Sequence, residues 1–148
     1  MKEKLKQAYM KTAETFAELS HARRLHVGAI VVKDDRIISI GYNGMPAGWD
    51  NNCEYEVLPT QHGEGPTLKT RPEVLHAETN AIAKLARSNE SGLNADLFVT
   101  HSPCLDCAKL IYQSGIKRVF FGTNYRDNAG LDFLKASEVQ VEQIKKGS

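Results

Sequence analysis

Leu5, Ala8, Tyr9, Thr12, Ala13, Phe16 and Leu19 recur every three or four positions, the repeat of one face of an α-helix, and predict an amphipathic helix over 2–19. Two β-rich runs follow, 27–33 and 36–42, flanking Asp34-Asp35. They predict a hairpin, although Asp-Asp is a weaker turn pair than Asn-Gly or Asp-Gly. From Asn43 to Pro72 the periodicity stops and most of the chain's prolines gather. This reads as one long loop. Loops beyond about 12–15 residues are uncommon in compact domains and often functional, so it is expected to cover a site or an interface.

The second half alternates. Helical composition at 76–88 is followed by a strand at 95–100, a helix at 104–114 stopped by Gly115, and a strand at 117–122. A short helix at 130–136 and a weak strand at 139–144 complete the pattern. Strand–helix–strand repetition implies right-handed crossovers and a parallel region of sheet with helices on both faces. With the hairpin, the fold class is α/β, a three-layer α/β/α arrangement on a mixed sheet of about five strands. The tail from Lys145 to Ser148 is expected to be mobile.

Composition narrows the class further. A length of 148 residues suits a single domain over 1–148, since domains run about 100–200 residues. Hydrophobic residues make up 41% and charged residues 25%, as in globular rather than disordered chains. Nineteen basic against 18 acidic residues leave a net charge of +1, so no broad basic field argues for nucleic-acid binding. A focused cationic pocket stays open. No run of about 18 apolar residues marks a membrane span. The basic start, Met1 to Lys6, lacks the apolar core of a secretory signal. The expected location is cytoplasmic, with no membrane partner. Of the three cysteines, Cys104 and Cys107 lie three apart, a spacing that fits metal or redox chemistry better than a structural disulfide.

The chemistry concentrates in His76-Ala77-Glu78 and Pro103-Cys104-Leu105-Asp106-Cys107, separated by one strand. Each opens a predicted helix, and together they form the H-x-E…P-C-x-x-C signature of zinc nucleobase deaminases. Three protein ligands leave a tetrahedral zinc one position for water. Cys104 and Cys107 share a helix face, whereas residues two apart on a helix diverge by about 200°. His76 and Glu78 can therefore converge only on a point beyond the helix end, which predicts a metal where two helix N-termini meet. The dipole ends there would stabilise both thiolates. Glu78, read as a non-ligand, would carry a proton from water to a ring nitrogen and then to the leaving amine. A closed structural zinc, or a solvent-facing glutamate on an ordinary helix, is the plainer reading of the same residues.

Beyond these motifs the chain resembles the deoxycytidylate (dCMP) deaminase family, within the wider cytidine deaminase-like fold. The stretches VGAIVVKDDRIISIGYNGMPAGW, HAETNAIAKLA and SPCLDCAKLIYQSGIKRV carry the resemblance, which spans roughly residues 8–135. Gly41-Tyr42-Asn43-Gly44-Met45-Pro46 discriminates most, since relatives acting on free bases or tRNA usually differ there. The resemblance implies hydrolysis of dCMP to dUMP and ammonia, feeding thymidylate synthesis, with one Zn²⁺ per chain on His76, Cys104 and Cys107 and Glu78 as proton shuttle. It implies substrate contacts at Asn43 and Tyr125, an arginine for the 5′-phosphate at Arg24, and the Ser102 backbone beside the leaving amino group. It further implies a homohexamer activated by dCTP, with Mg²⁺ accompanying the triphosphate, and inhibited by dTTP. Arg87 and Gly44 then belong to an effector or subunit interface.

Each assignment has a plainer counterpart. Asn43 before glycine is a good turn former, Tyr125 can be a rim aromatic, and Arg24 and Arg87 can be ordinary solvated arginines. His21 and His26 are given no role. Some relatives hold a second, structural zinc, but 70–75 supplies no histidine here and only His62 lies near Cys53, so Cys53 is expected to be a buried or free thiol. Two other functions remain in play: the same chemistry on dCTP or another cytosine or purine nucleotide or base, and a non-catalytic zinc-binding assembly module.

Overall fold

The computed structural model describes residues 1–59, 63, 65–125 and 127–145. His62 and all but the first residue of the 145–148 tail lie outside these described residues. Among the described residues, four helices, α1 (Glu3–Ala17), α2 (Ala77–Ala86), α3 (Leu105–Gln113) and α4 (Ala129–Ala136), accompany a five-stranded sheet and a separate two-stranded one. The strands are β1 (Gly28–Lys33), β2 (Arg36–Tyr42), β3 (Glu54–Val57), β4 (Thr67–Thr70), β5 (Asp96–His101), β6 (Arg118–Thr123) and β7 (Gln140–Gln143). The large sheet runs β2-β1-β5-β6-β7. β1 pairs antiparallel with β2 and β5, while β5–β6 and β6–β7 are parallel. The expected mixed five-stranded sheet is what forms.

Alternation along the central strands decides the layers. Ala29, Val31, Leu97, Val99, Val119 and Phe121 point to one face and pack with buried residues of α2, α3 and α4. Ile30, Val32, Phe98 and Phe120 point to the other and meet Met10 and Ala13 of α1. Phe98 stacks on Phe120 at 4.6 Å between centroids, with Tyr9 5.3 Å from Phe98. Both sheet faces are dry, which is why these strands read as unbroken apolar runs rather than as alternating ones. Near the far end of β5, a rung is closed by charge: Arg118 Nε and Nη2 each donate to Asp96 at 2.7 Å across the β5–β6 pair. That forked contact holds the arginine's pKa above its usual value.

The hairpin turn forms on the weaker pair. Asp34 and Asp35 take φ of 51° and 59°, the left-handed pair that a two-residue turn of the favoured twist demands. The one correction concerns 43–72, read above as loop throughout. Glu54–Val57 and Thr67–Thr70 form an antiparallel ribbon, with Glu54 opposite Thr70 and Val57 opposite Thr67. Four-residue strands flanked by Pro, Gly and Asn are too short for periodicity to register.

The topology gathers one end of the sheet. Because β1 runs against β5, the approach to β1 (residues 22–27) lies beside the exit of β5 (residues 101–104). The exit of β2 returns to the same place, with Tyr42 opposite Gly28, and so does the exit of β6, where Ser102 N donates to Thr123 O at 2.8 Å. Close packing of α1 on β1 makes this possible: a Cβ at Gly28 would fall on the Ala13 carbonyl oxygen and lie 2.8 Å from Ala17 N. Gly28→Ala must therefore push helix from strand, and the expected loss is about 1–3 kcal/mol, read as a lower urea midpoint at unchanged m-value.

Candidate metal centre

His76 and Cys104 are not inside their helices but are their N-cap residues, with extended ψ values of 153° and 170°. Each still closes the first helical bond through its carbonyl, His76 O to Asn80 N and Cys104 O to Ala108 N, both at 2.9 Å. Their side chains are thus free to turn outward past the helix end. His76 Nδ1 lies 3.2 Å from Cys107 Sγ and 3.8 Å from Cys104 Sγ, and the three donor atoms fall within 4.8 Å of one another. Zinc bonds of about 2.0–2.1 Å to nitrogen and 2.3 Å to sulfur at tetrahedral angles put N and S about 3.6 Å apart, so the observed pairs bracket the required spacing. One imidazole and two thiols are also a donor set that suits zinc. Among the described residues this group contains no fourth histidine, cysteine or carboxylate.

The helix ends shape the charge of the centre. Cys107 N donates to Cys104 Sγ at 3.5 Å, so the sulfur serves as cap acceptor. The Cys107 side chain and His76 hydrogen-bond Cys104 and hold its thiol down to about 3. Cys107, sharing that proton and buried, is pushed up. Thr79 Oγ1 lies 3.9 Å from Cys107 Sγ. Glu78, in the first turn of α2, is 4% exposed. Burial raises its carboxyl pKa.

Above the centre opens a pocket lined by His76, Glu78, Cys104, Asn43, Arg24 and Tyr125 together with Ser102. Asn43 Oδ1 accepts from Val27 N at 2.9 Å and Nδ2 donates to Leu25 O at 2.8 Å; the amide staples the approach to β1 and keeps one N–H for the pocket. Ser102, read from sequence for its backbone, uses its side chain as well: Oγ accepts from Tyr125 N at 3.0 Å, fixing the exit of β6. Tyr125 is half-exposed and stands edge-on to His101 at 5.9 Å. Arg24 Nη1 donates to Thr70 Oγ1 at 3.0 Å.

Two residues lie elsewhere. Arg87 follows α2 at its far end, exposed, away from the pocket. Gly44 forms an isolated bridge with Leu75, giving N–H to its carbonyl at 3.1 Å and accepting from its N–H at 2.8 Å; it anchors the residue before His76. Sequence reading missed His101, Glu54 and Thr70 as lining residues. His101 directly precedes Ser102-Pro103-Cys104, a proximity that could have marked it, and burial lowers its pKa. Nothing in the local pattern marks Glu54. Cys53 is a buried free thiol whose pKa burial raises, and His26 Nε2 contacts the Ala22 carbonyl at 2.6 Å.

Three metal donors at two helix starts, with one buried acid beside them on an α/β/α frame, define a zinc-dependent deaminase layout. A model of the cytidine and deoxycytidylate deaminase zinc-binding region matches residues 3–123, and the chain belongs to that family. It is 34% identical over 153 residues to the deoxycytidylate deaminase of Enterobacteria phage T4, covering 81% of this chain and 79% of that one. The Homo sapiens deoxycytidylate deaminase is 39% identical over 123 residues, covering 81% and 66%. The crystal structure of dCMP deaminase from the cyanophage S-TIM5 with dCMP and dUMP aligns at a TM-score of 0.86 and 46% identity, over 97% of this chain and 98% of that one.

Metal occupancy and fold should be linked here, because binding free energy at such a site is also folding free energy. Cys107→Ala is expected to abolish stoichiometric zinc, measured by elemental analysis after gel filtration, and to lower the melting temperature. Native zinc affinity in that variant would remove Cys107 from the ligand set.

Proposed function

We propose that this chain hydrolyses dCMP to dUMP and ammonia. The observation that carries the reading is Glu78, a carboxylate 4% exposed, set two residues after a helix cap whose imidazole meets two cysteine sulfurs at the floor of the pocket. The chemistry zinc supplies when bound is Lewis-acid activation of a water molecule. His76, Cys104 and Cys107 would hold it. Glu78 accepts the water's proton and delivers it to N3 of cytosine, making C4 a better electrophile. Once the remaining hydroxide has added to C4, Glu78 takes the second proton from the new C4 hydroxyl and passes it to the amino group as the C4–N bond breaks, so one water enters and one ammonia leaves. Burial suits the task, because raising a carboxyl's pKa makes it a better proton acceptor while leaving it able to pass the proton on. Asn43 and Tyr125 flank the sugar, the Ser102 backbone faces the leaving group, and Arg24 meets the 5′-phosphate.

The same reading includes a homohexamer, dCTP as activator with Mg²⁺ on its triphosphate, dTTP as inhibitor, and a cytoplasmic location. Family resemblance supports these. Exposed Trp49, Tyr55, Val57 and Leu58 around β3 support self-association, as clustered apolar surface does in general.

Glu78→Gln tests the mechanism. It is expected to keep stoichiometric zinc and to lose about 10²–10⁴ in turnover, the usual worth of a positioned acid–base group. Loss of metal instead would make Glu78 a ligand. Ammonia release from dCMP, deoxycytidine and dCTP, each with and without dCTP or dTTP as effector, tests substrate class and regulation together.

A further inference from the structure

Away from the metal centre, the pocket wall is held by contacts between the β3–β4 ribbon and the turn that precedes β1. Glu54, the first residue of β3, is 1% exposed. Its Oε2 accepts the backbone N–H groups of Arg23 at 2.9 Å and Arg24 at 3.0 Å, and its Oε1 lies 3.5 Å from Arg23 Nε. Thr70, directly across the ribbon from Glu54, takes Arg24 Nη1 on its hydroxyl at 3.0 Å. A single rung therefore grips one arginine at both ends, the carboxylate holding its backbone and the hydroxyl its guanidinium. All three residues line the pocket.

We infer that the Glu54–Thr70 rung makes the site selective for phosphorylated substrates by aiming Arg24 at the substrate's 5′-phosphate. This rests on the deaminase reading above and extends it, from which residue meets the anion to what positions that residue. Arg24 is exposed and long; left to itself it would lose rotamer freedom on meeting a ligand, and pre-orientation removes that cost. Thr70 occupies one of five guanidinium donors and leaves the others for a forked contact with phosphate oxygens. Two backbone N–H groups on Oε2 and the Arg23 guanidinium 3.5 Å from Oε1 offset part of the Glu54 charge, while Oε1 itself accepts no hydrogen bond. Glu54 and Thr70 are positioning residues. The sign is distinctive: deleting an acid from an anion-binding pocket weakens anion binding.

The test measures kcat and KM for dCMP and for deoxycytidine in the zinc-loaded wild-type enzyme and in Arg24→Ala, Thr70→Val, Thr70→Ser, Glu54→Ala and Glu54→Gln. Thr70→Val is expected to raise KM for dCMP about tenfold, the worth of one hydrogen bond to a charged group. Its kcat, and its kcat/KM for deoxycytidine, should shift less than about threefold, since neither depends on phosphate binding. Thr70→Ser restores KM. Glu54→Ala follows the same pattern more strongly, and Glu54→Gln recovers part, because one acceptor oxygen can take both N–H groups. Wild-type KM for dCMP in Thr70→Val and Glu54→Ala overturns the inference. So does tighter dCMP binding in Glu54→Ala, or equal loss on dCMP and deoxycytidine. If Glu54→Ala does not fold, the Thr70→Val and Thr70→Ser pair decides alone. Equal wild-type kcat/KM on both substrates, or an Arg24→Ala enzyme that keeps its dCMP preference, defeats the phosphate reading itself. A preference lost in Arg24→Ala but kept in the other variants defeats only the role of the rung.

Discussion

Two helices beginning at the same point in space are the constraint on which the site depends. A helix start leaves N–H groups without partners and concentrates positive potential, so bringing two starts together is unfavourable unless something negative sits between them. Here the cap residues of α2 and α3 both belong to the clustered His/Cys/Cys donor set, and Cys104 Sγ accepts the Cys107 N–H that the helix leaves unpaired. The Cys104 sulfur that caps α3 is also one of the three clustered donor atoms. Ligand geometry and helix termination cannot be changed separately, and loss of a donor is a structural event as well as a chemical one.

Holding those starts together falls to contacts well away from the chemistry. α2 is tied along the edge strand by Asn80 Nδ2 to Tyr42 O at 2.8 Å, Ser39 Oγ to Ala81 O at 2.6 Å and Lys84 Nζ to Ile40 O at 2.9 Å. Gly41 lets the backbones touch, since a Cβ there would lie 2.6 Å from Ala81 N. The Gly44–Leu75 bridge then fixes the chain one residue before His76. Each contact joins β2 or its exit to α2 or to the residue that leads into His76.

The sequence made the periodic parts of this architecture readable and the local exceptions unreadable. Long two-sided strands and amphipathic helices announce themselves because many residues repeat one signal, and the metal motif does so because rare residue types fall at fixed spacing. His76 and Glu78 even reveal their placement, since their spacing rules out a site beside the helix. β3 and β4 escape because four residues between turn formers give no period. Glu54 escapes for a different reason. Its partners are backbone N–H groups 30 and 31 residues away, and nothing at the level of residue type records that a carboxylate will be buried against them. Ser102 was legible by position but not by function, because only the fold brings Tyr125 N to its hydroxyl.

Those illegible contacts have a common character: they position groups instead of reacting. A chain with a net charge of +1 has no long-range field to gather an anionic nucleotide, so attraction has to come from the few cations facing the pocket and from how firmly they are held. An unrestrained arginine at a surface turn supplies charge but little geometry, and an exposed ion pair contributes only about 0–1 kcal/mol. Fixing the Arg24 backbone from a buried acid and its guanidinium from a hydroxyl on a neighbouring ribbon would convert a weak, diffuse attraction into a directed one. The metal centre is built on helix starts that the large sheet fixes, while the recognition wall is built on a small ribbon inserted between β2 and α2.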